Sequence, residues 1–218
     1  MSAEGLRLYS YWRSSAAYRV RIALNLKGLP HEIVPVHLTA NGGEQHSASF
    51  HALNPQDAVP VLRDGERIVR QSMAIIEYLD ETYDGEAKLL PSTARDRARV
   101  RALAQLIACD IHPVNNLRVV QYLEREFNVP QVERERWSRH WIDTGFEAYE
   151  ASVADDRRTG TFSHGDRPTM ADLCLIPQVF NAGRFKVDMK KYPTIQRIFE
   201  ASMKLPAFDA AQPAKQPD

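Results

Sequence analysis

The sequence predicts two domains, a small α/β unit at the N-terminus followed by an all-helical one, and three observations carry that prediction. In residues 1–84, short extended runs alternate with segments of helical period, and two of the runs flank an Asp64-Gly65 turn signal. Residues Tyr83 to Arg95 are polar and marked by glycine and proline, the composition of a connection. Beyond them the apolar positions recur at helical spacing.

Composition sets the outer limits. The chain has 218 residues, 44% of them hydrophobic and 26% charged, which is ordinary for a globular protein with a buried core. Its 28 basic and 28 acidic side chains balance, so no nucleic acid or membrane surface is expected as partner. The N-terminal segment from Met1 to Leu8 lacks the apolar stretch of a secretory signal, and no run is long enough to span a membrane. Cys109 and Cys174 are far apart and in no metal-like spacing, which suits a reducing cytoplasm and predicts no bound metal. Both cysteines have apolar neighbours and read as small buried hydrophobes.

The elements follow in order. Leu6–Ser10 is a short strand with Leu6, Leu8 and Ser10 on one face. From Ser14 the period becomes helical through Ala16, Val20, Ala23 and Leu24, and Lys27-Gly28 supplies the stop. Ile33–Leu38 is a second strand. Val59–Leu62 and Arg67–Arg70 form a hairpin around Asp64-Gly65. Ser72 then reads as the N-cap of a helix burying Ile75, Ile76 and Leu79. The order strand, helix, strand, short helix, strand, strand, helix resembles a thioredoxin-like βαβ–ββα unit. In the second half, Arg97–Phe127 is helical but broken near Pro113, which lacks a backbone donor. Trp137–Val153 is helical, and Thr169 to Asp172 has the form of a capping box opening another helix. Tyr192-Pro193-Thr194 opens the last one, and Gln212–Asp218 is a polar tail expected to fray.

The segment Ser14-Ser15-Ala16-Ala17-Tyr18-Arg19-Val20-Arg21-Ile22-Ala23-Leu24 carries the most chemical information. Two hydroxyls stand where a strand meets the first turn of a helix, beside unpaired backbone N–H groups and the positive end of the helix dipole. A capping serine alone explains one of them. The full string closely resembles the zeta-class glutathione transferase signature Ser-Ser-Cys-x-aromatic-Arg-Val-Arg-Ile-Ala-Leu, with Ala16 in place of its cysteine. A protein thiol at position 16 is therefore unavailable. The match extends from Leu8 to the Gln216-Pro217-Asp218 tail.

The resemblance implies a glutathione transferase fold: residues 1–84 as a thioredoxin-like glutathione-binding domain and residues 92–218 as a helical domain contributing the second-substrate pocket. It implies glutathione held by Ser14, Gln45, Val59, Gln71 and Ser72, with Ser14 or Ser15 activating its thiol. Asn54-Pro55-Gln56-Asp57-Ala58-Val59-Pro60 is similar to the family loop in which the Val-Pro bond is cis. Substrate binding falls to Arg13, His112, Asn116, Arg118 and Arg184, with Arg13 and Arg184 as the carboxylate anchors. The implied reaction is glutathione-dependent cis–trans isomerisation of an unsaturated diketo acid, maleylacetoacetate to fumarylacetoacetate, in a cytoplasmic homodimer. Maleylpyruvate as the substrate, general transferase activity, and a non-catalytic interaction module are the alternatives. A thiol oxidoreductase would need a cysteine at the strand-to-helix turn, and this turn has none.

Overall fold

The computed structural model describes residues 5–85 and 87–217. The expectation of no signal segment thus rests partly on residues 1–4, outside the described residues, as does Asp218 of the tail. The chain divides into two compact units, residues 1–89 with 204–218, and residues 90–203. No described helix is long and apolar enough to cross a membrane.

The first unit is built on a four-stranded sheet of order β2-β1-β3-β4, with β1 Leu6–Ser10, β2 Glu32–Pro35, β3 Val61–Asp64 and β4 Arg67–Arg70. β1 pairs with β2 in parallel and with β3 antiparallel, and β3–β4 is the expected hairpin. Between the strands lie α1 (Ser15–Leu26) and α2 (Ala48–Leu53), and α3 (Ser72–Thr82) follows β4. The register brings four chain crossings to one end of the sheet. Ser10 lies opposite Pro35, Tyr9 opposite Val61, and Val61 opposite Arg70. The C-terminal ends of β1, β2 and β4 and the N-terminal end of β3 therefore share one edge.

α1 buries Ala17 through Leu24 without a break, including two arginines. Arg21 is 1% exposed and donates to Ser10 Oγ (3.0 Å), Ala211 O (3.0 Å), Trp12 O (3.2 Å) and Tyr11 O (3.4 Å). Burial lowers its pKa to about 10. These bonds correct the expectation for the C-terminus. Tyr18 and Asn25 also bond carbonyls of Phe208 and Ala207, so residues 204–218, assigned by sequence to the helical half, gather on the first unit. Within the described residues the tail makes contacts of its own: α10 (Pro206–Ala210) is followed by a buried Pro213, and Gln216 Nε2 donates to Ala210 O at 2.8 Å.

The second unit contains α4 (Ala94–Gln105), a π-helical segment Leu106–Ile111, α5 (His112–Val114), α6 (Leu117–Phe127), α7 (Gln131–Val153), α8 (Met170–Arg184) and α9 (Pro193–Met203). The break expected at Pro113 is present. The widened turn just before it accommodates a residue that cannot donate and whose ring crowds the preceding turn. This turn also corrects the reading of Cys109. Ile107 and Ile111 take the inner face and Cys109 is exposed, whereas Cys174 is fully buried on α8. The Thr169–Asp172 capping box is formed, with Thr169 N donating to Asp172 Oδ2 at 2.8 Å.

Candidate active site

Five of the sequence-selected residues belong to the shared edge of the sheet. Ser14 leaves β1 and caps α1: its Oγ accepts the Ala17 N–H at 3.1 Å. The hydroxyl oxygen is thereby oriented by backbone. Among the described residues no hydrogen bond takes up its own proton, which is free to be donated elsewhere. Ser15 is the first helical residue, not the cap. The cap geometry thus separates two adjacent serines that sequence left equivalent.

Val59 precedes β3, and the Val59-Pro60 bond is cis. The loop before it is ordered by the buried Asn54, whose Nδ2 donates to Ala58 O (2.7 Å) and whose Oδ1 accepts from Gln56 N (3.2 Å). Gln71 follows β4 and corrects one expectation. It, not Ser72, occupies the N-cap of α3, at φ +71° and without a side-chain cap. A glutamine held in the left-handed region costs on the order of 1–3 kcal/mol, a cost more common at functional positions than elsewhere. Its Nε2 donates to Gln56 Oε1 at 2.7 Å, tying the start of α3 to the Val59 loop. Ser72, one residue on, is buried and accepts from Arg19 Nη1 at 3.2 Å. That contact joins α1 to α3 across the unit.

Gln45 follows β2 in a short 3-10 turn, Glu44–His46. It is 7% exposed, and its Oε1 has no hydrogen-bond partner among the described residues. A buried, orphaned carbonyl oxygen is expensive to leave unmade, and it fits a ligand that brings an N–H. Arg13, beside the serines, is exposed and lies 5.1 Å from the Trp12 ring centroid.

The helical unit holds the remaining candidates less tightly. His112 begins α5 directly before Pro113. Asn116 is the N-cap of α6, and its Oδ1 accepts from Arg118 N at 3.1 Å. Arg118 is exposed on the first turn of α6. Arg184, the last residue of α8, is also exposed and lies 5.7 Å from the Phe185 ring centroid. Among the described residues no group of histidine, cysteine and carboxylate side chains has the arrangement of a metal site.

Sequence reasoning passed over several residues that build the edge. Arg19, Arg21 and Asn54 are buried polar groups that anchor it, and His46, His51 and Asp57 form a hydrogen-bonded cluster beside Gln45. The signal for the arginines was their place among wholly apolar neighbours in α1. Nothing in the sequence pointed to the cluster, whose members are brought together by loop folding.

The chain is similar to known proteins over nearly its whole length. A family profile described as Glutathione S-transferase, N-terminal domain, matches residues 8–87. A probable maleylacetoacetate isomerase of Vibrio cholerae is 54% identical over 98% of this chain and 98% of its own length. A solved holo maleyl pyruvate isomerase, described as a bacterial zeta-class glutathione S-transferase, superposes with a TM-score of 0.94 at 48% identity, covering 97% of this chain and 99% of that one. A maleylacetoacetate isomerase from Methylobacterium extorquens AM1, solved with malonate and GSH bound, has a TM-score of 0.92 at 43% identity, over 97% of this chain and 98% of its own.

Proposed function

The chain belongs to the zeta-class glutathione transferases, the family of the maleylacetoacetate isomerases, and from that premise we infer that it is a glutathione-dependent cis–trans isomerase acting on maleylacetoacetate. The observation that carries the mechanism is the Ser14 cap: an oxygen held by the Ala17 N–H and a hydroxyl proton left to donate.

Glutathione supplies the nucleophile: its thiolate adds to the activated cis double bond, the resulting single bond rotates, and the thiolate leaves to give the trans product. The residues of this chain make that possible. A free thiol ionises near pH 8.5, and lowering it to about 7 takes roughly 2 kcal/mol of preferential thiolate stabilisation. One charge-assisted hydrogen bond from Ser14 contributes about 1.5–3 kcal/mol, and the N-terminus of α1 about 0.3–1. The two suffice without a metal. Gln45, Val59, Gln71 and Ser72, delivered to the same edge, hold the tripeptide, with Gln71-Ser72 at a helix N-terminus suited to its γ-glutamyl carboxylate. Ser15 is the reserve hydroxyl. Arg13, Arg118 and Arg184 hold the substrate carboxylates and the charge developing on its carbonyl oxygen, through the two-point fork that guanidinium offers. His112 and Asn116 are the further substrate-binding candidates of the helical unit.

A relative solved with both malonate and GSH supports a dicarboxylate beside glutathione. Relatives named for maleylacetoacetate and for maleylpyruvate are both close, and one assay distinguishes the substrates. Turnover is measured on each compound with and without glutathione, and free thiol is titrated before and after. Isomerisation only in the presence of glutathione, with no net loss of thiol, is the expected result. Stoichiometric thiol loss points instead to conjugation, and no turnover to a binding module. The protein is read as a cytoplasmic homodimer. The balanced charge and the wide separation of the two cysteines in the sequence support the compartment, and a sedimentation experiment at micromolar concentration tests the dimer.

A further inference from the structure

The turn around Gln45 has more order than binding a ligand through one side chain requires. The Gln45 amide nitrogen lies 3.3 Å from Leu38 O and 3.0 Å from His46 Nε2. A carboxamide nitrogen only donates, so His46 Nε2 must bear a lone pair and the ring proton must sit on Nδ1. That Nδ1 faces Asp57 Oδ2 at 3.3 Å, and His51 Nδ1 faces the other carboxylate oxygen at 2.8 Å. Asp57 is set in place by the left-handed backbone it adopts, φ +51°, within the loop that Asn54 orders. The His51 hydrogen bond, with that of His46, holds the Asp57 carboxyl below the usual carboxylate range, so it accepts from both rings. Gly43 backs the amide closely: a Cβ there would stand 2.6 Å from Gln45 Nε2 and 2.8 Å from Oε1. Both amide hydrogens are therefore engaged, and the amide plane has no freedom to invert. The one polar atom left over is the buried Oε1.

We propose that Asp57 and His46 are positioning residues for glutathione: the Asp57 carboxylate holds His46 in its Nδ1–H form, His46 Nε2 holds the Gln45 amide, and Gln45 Oε1 accepts a peptide N–H of the tripeptide. The proposal rests on the glutathione reading and adds the atom-level reason why Gln45 presents an acceptor and not a donor. Protein-side order of this kind lowers the entropy lost on binding without touching the chemical step.

The test has two readouts. Ring ¹⁵N NMR of the ligand-free protein reports which nitrogen of His46 carries the proton, in the wild type and in Asp57→Ala. Calorimetric titration with glutathione compares the wild type, His46→Phe, Asp57→Ala and the double variant, with Asp57→Asn replacing Asp57→Ala if thermal unfolding shows the latter misfolded. The wild-type ring is expected in the Nδ1–H form, and to lose it in Asp57→Ala. Each single variant is expected to bind glutathione about 3- to 10-fold more weakly, with kcat at saturating glutathione retained. The double variant is expected to be no weaker than the weaker single, because both cut one relay. A wild-type His46 protonated on Nε2, single variants that bind like the wild type, or losses that multiply would each overturn the proposal. A wild type that binds no glutathione while its His46 shows the Nδ1–H form overturns the functional reading and the ligand assigned to Gln45, but not the relay itself.

Discussion

The sheet edge of the first unit and the broken helix of the second each carry several polar candidate residues, and they hold them in different ways. At the edge, buried polar groups stand behind the candidate residues and the turn that leads to them: Arg21 behind the Ser10–Trp12 turn, Asn54 behind the loop ending at Val59, and Arg19 behind Ser72. At the break, His112, Asn116 and Arg118 sit on short or solvent-facing segments. α6 has no buried residue, and its Tyr122 and Phe127 are 59% and 64% exposed. Geometry at the edge is over-determined by hydrogen bonds that cannot be exchanged for water. Geometry at the break involves one proline, one cap, packing against α7 and a few side-chain bonds to backbone carbonyls, among them Trp137 Nε1 to Val114 O at 2.9 Å and Asn115 Nδ2 to Ile111 O at 3.2 Å. On the proposed function, the side that would activate the thiol is preorganised, and the side that would take the diketo acid has room to adapt.

The sharpest way to break this contrast is Arg21→Ala. It removes a buried guanidinium that satisfies four oxygens, each costly to leave unpaired, and should destabilise the protein by at least about 3 kcal/mol in denaturant unfolding. A loss below about 1 kcal/mol would mean that the edge is not held from behind.

Next in size is Ser14→Ala, which should lower turnover roughly 10- to 150-fold and raise the pH at which the bound thiol ionises. Thiol ionisation is read by its ultraviolet thiolate absorbance across a pH series. Cys109→Ala and Cys174→Ala should leave that pH unchanged, although Cys109 is exposed and Cys174 buried. Full activity and an unchanged pH profile in both Ser14→Ala and Ser15→Ala would leave the helix N-terminus as the thiolate stabiliser.

Gly145→Ala probes the other region. An added Cβ on α7 would stand 2.2 Å from Ile111 Cδ1 and Cγ1, in the π segment that leads into His112. Ile111 is 1% exposed, so it cannot simply swing away. The expected cost is about 1–3 kcal/mol of stability, with a raised KM for the diketo acid and an unchanged glutathione Kd. A change confined to glutathione affinity would invert the assignment of the two regions. Smallest of all, Arg118→Ala should alter stability by no more than about 0.5 kcal/mol while weakening substrate KM by about 10-fold or less.

Residues whose role depends on local order were legible in the chain. A serine cap within Ser14-Ser15, the β3–β4 hairpin at Asp64-Gly65, the Thr169–Asp172 box and the break before Pro113 each depend on a few neighbouring positions whose chemistry admits few conformations. The α3 cap was misplaced by one residue because Ser72 is the better capping type. Its hydroxyl instead serves Arg19, a partner 53 positions away. Cys109 was misjudged because an apolar neighbourhood in sequence says nothing about phase once a π turn has added a residue to the helix.

By itself, then, the amino-acid sequence determined the order of elements, the two-domain plan, the strand-to-helix serines and the likeness to glutathione transferases, because period, capping and turn chemistry act over a few residues. Only the tertiary structure decided which serine is the cap, that the C-terminal segment closes over α1, and that His46, His51 and Asp57 converge behind Gln45. The physical reason is that a donor or acceptor carries no mark in sequence of the group that will satisfy it, and the folded chain alone brings the partners within reach.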